Sequence, residues 1–181
     1  MKVTIHYFRH GESVANVVQN THCAGSLAHL LMLDPNLTER GKKQSSLAAQ
    51  TAPDVDIVLS SELLRAIHTA VRTYPKKTVH IVPHVKELGY GLDNVPISHE
   101  YQLLNLNQEH RNLIVRSEHS GHAKSFIDYL KQNIAPRFKH KDHVTVALFT
   151  HSRYMKKTFG LKSMKDVPNN GILTKTFHTK V

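Results

Sequence analysis

The sequence predicts an α/β fold, a sheet with helices packed on its faces, from two observations. Apolar, β-branched stretches of strand length recur along the 181 residues, at 3–8, 55–59, 79–82, 144–149 and 172–177. Between them lie stretches whose apolar residues repeat at helical spacing, and alternation of the two patterns is what layered α/β sheets require.

Each element has its own justification. The run from Val3 to Phe8 is a first strand: it is too short, and too soon followed by Arg9 and His10, to be a signal peptide. Thr38 can cap a helix reaching about Gln50, although Gly41 weakens its first turn. After the second strand, Ser60 or Ser61 can cap a helix in which Leu63, Leu64, Ile67, Ala70, Val71 and Tyr74 recur on one face, and Pro75 ends it. A further helix runs through Ala123, Phe126, Ile127, Leu130 and Ile134, with Gly121 before it and Pro136 after it. Residues 20–36 and 89–118 have no clear period, and the second stretch is interrupted by Gly91 and Pro96. Both are expected to be insertions covering a site. No repeat or linker divides the chain, so residues 1–181 are read as a single domain.

Apolar residues make up 40% and charged residues 21%, and no stretch approaches the roughly 18 apolar residues of a membrane span, so a soluble protein without membrane partners is expected. The single cysteine, Cys23, can form no internal disulfide, which fits a reducing, cytoplasmic compartment. A formal net charge of +10 favours anionic ligands. Lys and Arg are dispersed rather than packed in one tract and tryptophan is absent, so nucleic acid is not the expected partner.

The chemistry concentrates where the first strand ends, in Arg9-His10-Gly11-Glu12-Ser13 with Asn16 one turn later. Such a strand end delivers side chains to the carboxyl edge of a sheet, where α/β proteins bind ligands, and Gly11 permits close backbone approach. This motif resembles the signature of the histidine phosphatase superfamily, which includes the phosphoglycerate mutases. The resemblance continues in order along the chain. Leu37-Thr38-Glu39-Arg40-Gly41-Lys42-Lys43-Gln44 is similar to the family's next segment, and the stretch from Ser60 to Ala70 to its third. Glu87 with Tyr90 and Gly91 resembles the acid-bearing loop, Phe149-Thr150-His151-Ser152 the last catalytic strand end, and Asn169-Asn170-Gly171-Ile172 the entry to the closing strand.

The resemblance implies a three-layer α/β/α domain, phosphoglycerate mutase-like, with a mostly parallel central sheet and the site at its carboxyl edge. It also implies roles. His10 would be the nucleophile, since a neutral, oriented imidazole can accept a phosphoryl group. Arg9, Arg65 and His151 would surround the phosphate, whose equatorial oxygens gather charge during transfer, and arginine suits this through its planar fork and permanent charge. Asn16 would add a neutral donor. Ser13 would either add another or cap the following helix. Glu87 would protonate the leaving group, because neighbouring negative charge helps a carboxyl retain its proton. Some branches carry an aspartate directly after the second histidine; here Ser152 stands there, which strengthens the case for Glu87. Tyr90 and Ser152 complete the implied substrate-binding set.

The remaining histidines lack metal-ligand spacing with Cys or carboxylate partners, so no metal and no cofactor is expected. The family's mutases carry paired arginines near a tryptophan in a longer insertion; this chain has neither feature, which favours hydrolysis over phosphoryl return to substrate. The substrate would be a phosphorylated small molecule or a phosphoprotein. The alternatives are a phosphoglycerate mutase-type phosphoryl transferase, or a non-catalytic phospholigand or nucleic-acid binding module on the same fold.

Overall fold

In a computed structural model the structure describes residues 1–20, 28–116 and 123–179; Cys23 and Gly121 lie outside them. Six strands, β1 (Lys2–Arg9), β2 (Ile57–Ser60), β3 (Val79–Ile81), β4 (Ile114–Arg116), β5 (His143–Thr150) and β6 (Ile172–His178), form one sheet in the order β4-β3-β2-β5-β1-β6. All neighbouring pairs are parallel except β6, which runs antiparallel to β1 at the edge. The fold is therefore a mostly parallel α/β fold, and it contains all five strands expected from the sequence.

Strand alternation sends side chains to two separate cores. On one face Ile5, Tyr7, Ile57, Leu59, Val146 and Leu148 pack against Phe126, Tyr129, Leu130, Ile134 and Met155. On the other, Phe8, Val58, Ala147 and Phe149 pack against Ile67, Ala70, Val71 and Tyr74. The first set comes from α6 (Phe126–Tyr129), its continuation and α7 (Ser152–Phe159), and the second from α3 (Leu64–Thr73). Helices on both faces of one sheet make the expected three layers.

The site end of the sheet is set by aromatic packing in the second core. Phe8 stacks on Phe149 with ring centroids 4.6 Å apart, and Tyr74 meets both edge-on. Phe8 and Phe149 are also partners in the parallel register, followed by Arg9 opposite Thr150. Slipping this pair by one residue would turn every side chain to the wrong face, so the stack fixes which residues emerge at the edge.

α2 (Glu39–Ala48) begins as expected, with Thr38 accepting a hydrogen bond from the Gly41 amide. The glycine in its first turn has a reason that helix propensity does not reveal. A Cβ on Gly41 would lie 2.0 Å from the Glu12 carbonyl oxygen, and one on Gly11 would lie 2.9 Å from the Gly41 carbonyl oxygen. The two glycines let the helix rest directly on the loop after β1. Gly41→Ala should accordingly destabilise the protein by about 1–3 kcal/mol, the usual cost of overpacking, although alanine is the better helix former; urea denaturation would measure it.

Two expectations need correction. Neither Ser60 nor Ser61 caps α3: its N-cap position is Leu63, which supplies no side-chain acceptor, and Ser60 is the last residue of β2. Instead the Leu64 amide donates to Asp34 from a distant part of the chain. The helix through 123–134 is also not continuous. α6 lasts one turn and loosens into a wider π-type turn at Leu130–Ile134, then tightens into a 3-10 turn at Ala135–Phe138. Pro136 explains the break, since it has no amide to donate and its ring crowds the carbonyl four residues earlier. Four elements were unforeseen, β4, α7 and the short helices α4 (His99–Leu104) and α5 (Gln108–Asn112), whereas α1 (Val14–Asn20) is the helix expected after Ser13.

Candidate active site

At the carboxyl edge β1 and β5 end side by side, and the register carries past them into two histidines. The His10 amide donates to the Thr150 carbonyl at 3.1 Å, and the His10 and His151 rings lie 5.1 Å apart, centroid to centroid. Both are buried, at 3% and 0% exposure, although they line or abut an open cleft. His10 Nδ1 lies 2.7 Å from the Gly11 carbonyl oxygen. A carbonyl only accepts, so Nδ1 carries the proton and the Nε2 lone pair is left free. Burial, then the charges of Arg65 and Arg9, hold the His10 pKa well below its ordinary value, so the ring is neutral. His151 is depressed in the same way, by burial and then by Arg65, His10 and Arg9. Its Nε2 is 2.9 Å from Ser61 Oγ, and its buried Nδ1 has no partner among the described residues.

The cations arrive from two elements. Arg9, the last residue of β1, donates to the Val167 carbonyl at 2.6 Å, which pins the turn at Met164–Asp166 beside the cleft, and its buried Nε has no partner among the described residues. Arg65 sits in the first turn of α3 at 3% exposure, so it is no solvated surface residue. Its fork is seated by the Asp93 carbonyl at 2.6 Å and Asn94 Oδ1 at 3.0 Å, both in the turn Leu92–Asn94. That seat uses two of the five N–H groups of the guanidinium and leaves others for a ligand.

Ser13 takes one of the two roles open to it: its Oγ accepts from the Asn16 amide, the geometry of a helix cap for α1. Asn16 answers by accepting from the Ser13 amide through Oδ1, which also accepts from Asn169 Nδ2. What Asn16 has to offer the cleft is therefore its Nδ2. Glu87 lies across the cleft with Oε1 accepting from the Leu88 and Arg153 amides and Oε2 from the Ser152 hydroxyl. Burial raises its pKa from the ordinary carboxyl value, against the opposing pull of Arg65, the Leu88 amide, Arg153 and Ser152. Ser152 thus touches the acid, while Tyr90 stands 95% exposed at the rim.

All of these line one cleft of about 630 Å³ except His151, which lies beneath it. The structure thereby brings together His10, Arg9, Arg65, Glu87, Ser13, Asn16, Ser152 and Tyr90. Sequence reasoning passed over Asp93, Asn94 and Asn169, which seat Arg65 and Asn16. The two asparagines beside Gly171 were visible, but only as a strand entry. Nothing in the pattern of residues 89–118 marked 93 and 94 as partners of an arginine 28 positions earlier.

The mannitol-1-phosphatase of Eimeria tenella is 30% identical over 102 residues, which is 50% of this chain and 32% of that protein. The chain spans about a third of the length of the curated relatives it matches. Among solved structures, phosphoserine phosphatase from Entamoeba histolytica, in complex with 3-phosphoglyceric acid, matches with a TM-score of 0.54 and 21% identity over 95% of this chain and 89% of that one. The phosphoglycerate mutase of Thermus thermophilus matches with a TM-score of 0.51 and 21% identity over 96% and 92%. These likenesses bear on the fold, and the family follows from the sequence itself: over residues 5–160 the chain matches the model of the histidine phosphatase superfamily, branch 1, and it belongs to that superfamily.

Proposed function

We propose that this chain is a single-domain phosphatase that hydrolyses a phosphomonoester through a phosphohistidine on His10, with Glu87 as proton donor. The observation that carries this reading is the free Nε2 of a neutral, buried His10 set among Arg9, Arg65 and His151, with a carboxyl of raised pKa across the same cleft. In the first step Nε2 attacks phosphorus, the ester P–O bond breaks, and the departing oxygen takes the proton from Glu87. In the second, water attacks the phosphohistidine, Glu87 accepts its proton, and phosphate leaves with His10 neutral again. Arg9, Arg65 and the free Nδ1 of His151 stabilise the equatorial oxygens. Asn16 Nδ2 is a further donor, and Ser13 supports it as the cap of its helix. Tyr90 and Ser152 flank the leaving group's path, Ser152 through its bond to Glu87.

The substrate is read as a phosphorylated small molecule, supported by relatives named for mannitol 1-phosphate and phosphoserine and by a site recessed below its rim. No helix among the described residues is long and apolar enough to cross a membrane. The direct test is release of inorganic phosphate from an aryl phosphate and from a panel of phosphorylated metabolites, in chelator. Absence of turnover on the whole panel would overturn the reading.

Arg65→Lys should cost about two orders of magnitude in kcat/KM, because a point cation cannot reproduce the seated fork. Arg72→Lys, on the same helix but outside the cleft, should remain within about twofold of wild type.

A further inference from the structure

We propose that Asp34 is a positioning residue for Arg65, acting from outside the cleft. This rests on the reading of the cleft as a phosphoryl-transfer site. Asp34 is 2% exposed, its backbone has a positive φ of 42°, uncommon outside glycine though less so for aspartate, and its side chain is held by hydrogen-bonding contacts. Those contacts join two separate parts of the protein. Oδ1 accepts from the Leu64 amide at 2.8 Å, at the start of α3 and one residue before Arg65. Oδ2 accepts from the Ile97 amide at 3.1 Å and from Gln102 Nε2 at 2.8 Å, while the Asp34 amide donates to the Leu92 carbonyl.

Asp34 therefore clamps the first turn of α3 to the segment from Leu92 to Gln102. That segment carries the Asp93 carbonyl and Asn94 Oδ1, the two acceptors on which the Arg65 fork rests. One end of the clamp holds the backbone that bears Arg65, and the other holds the seat of its guanidinium. The negative charge also faces the positive end of a helix whose own N-cap, Leu63, has no side-chain acceptor. Gln102, itself 1% exposed, completes the joint by donating to the Glu62 carbonyl.

Asp34→Asn keeps the shape but must present an N–H to one of three donors, so one arm of the clamp opens. The expected result is a loss of about 10- to 100-fold in kcat/KM on an aryl phosphate, with weaker competitive inhibition by inorganic phosphate. Combined with Arg65→Lys, the same substitution should cost less than about threefold, because the seat it guards no longer holds a guanidinium. A purely structural role would lower both backgrounds by the same factor, and that outcome overturns the proposal. So does a folded Asp34→Asn protein with wild-type kinetics.

If Asp34→Asn fails to fold, Gln102→Ala opens the same joint more gently and is put through the same cycle. A substrate-free reading separates this proposal from the functional one. The Arg65 Nε–H resonance of isotopically labelled protein should shift and broaden in the variant whether or not the protein turns over any phosphate. An unchanged resonance sinks the role of Asp34, whereas a responsive resonance in a protein without phosphatase activity sinks the functional reading alone.

Discussion

Replacing His10 with alanine is expected to remove at least about four orders of magnitude of turnover on every phosphomonoester while leaving the fold in place. The effect is large because, in the proposed mechanism, the imidazole is the group that would hold the phosphoryl; the cations that remain could bind phosphate but not accept it. The fold should survive because His10 contributes little beyond itself. Among the described residues its ring is hydrogen-bonded only to the Gly11 carbonyl, one residue away, and the strand that carries it is fixed by the Phe8–Phe149 stack and by the Thr150 carbonyl, neither of which involves the side chain. Near-native circular dichroism with retained inhibition constants for phosphate would show a competent but chemically silent cleft. Steady-state kinetics on an aryl phosphate gives the decisive number: activity within tenfold of wild type would remove His10 from the mechanism. Wild-type protein quenched during turnover of labelled substrate should carry phosphate that is lost in acid and kept in base, as a phosphoramidate requires, and the variant should carry none.

Much of this site was legible because a strand end is a local feature. The run Val3 to Phe8 announces β1, and the residues next in the chain must emerge at the sheet edge, so Arg9 and His10 could be placed without any knowledge of the rest of the molecule. His151 is placed by the same logic at β5. Arg65 could be placed on a helix, but its burial could not, since an arginine in a first turn is ordinarily solvated. Here it is buried because the segment from Leu92 to Gln102 folds over it, and that segment had no readable period. In the stretch from Gly89 to Arg116 the helices α4 and α5 span six and five residues, too few for helical spacing to show, although Ser98 and Asn107 do cap them. β4 pairs only three residues at the outer edge of the sheet and carries one partly buried apolar residue, Ile114, so no alternation could develop. α7 is different: Gly160, in left-handed conformation at φ 65°, and the lysines of the last turn were readable stop signals that went unused. Asp34 was beyond reach, because its partners lie 30, 63 and 68 positions away.

Glu87→Gln should slow alkyl phosphates by about two to four orders of magnitude and an aryl phosphate by no more than about tenfold, because an oxygen of low pKa departs without a proton. The geometry makes glutamine a fair probe. Two backbone amides and the Ser152 hydroxyl hold the carboxylate, and a glutamine carbonyl in the place of Oε1 can keep both amides while its NH2 donates to the Ser152 oxygen and its size is unchanged. The pH dependence supplies a second signature. Burial raises the Glu87 pKa above 4.5, so the proton is present below the raised value and lost as pH rises through it; alkyl phosphate turnover should fall on that alkaline limb. His10, with its pKa lowered, stays neutral well into acid and, as the proposed nucleophile, should set the opposite limb. In the glutamine variant the alkaline limb should vanish, since no ionisable proton remains at that position, while the acid limb stays where it was. Equal slowing of both substrate types, or an alkaline limb that persists, would return Glu87 to an ordinary loop carboxylate and require the leaving oxygen to take its proton from another group or from water.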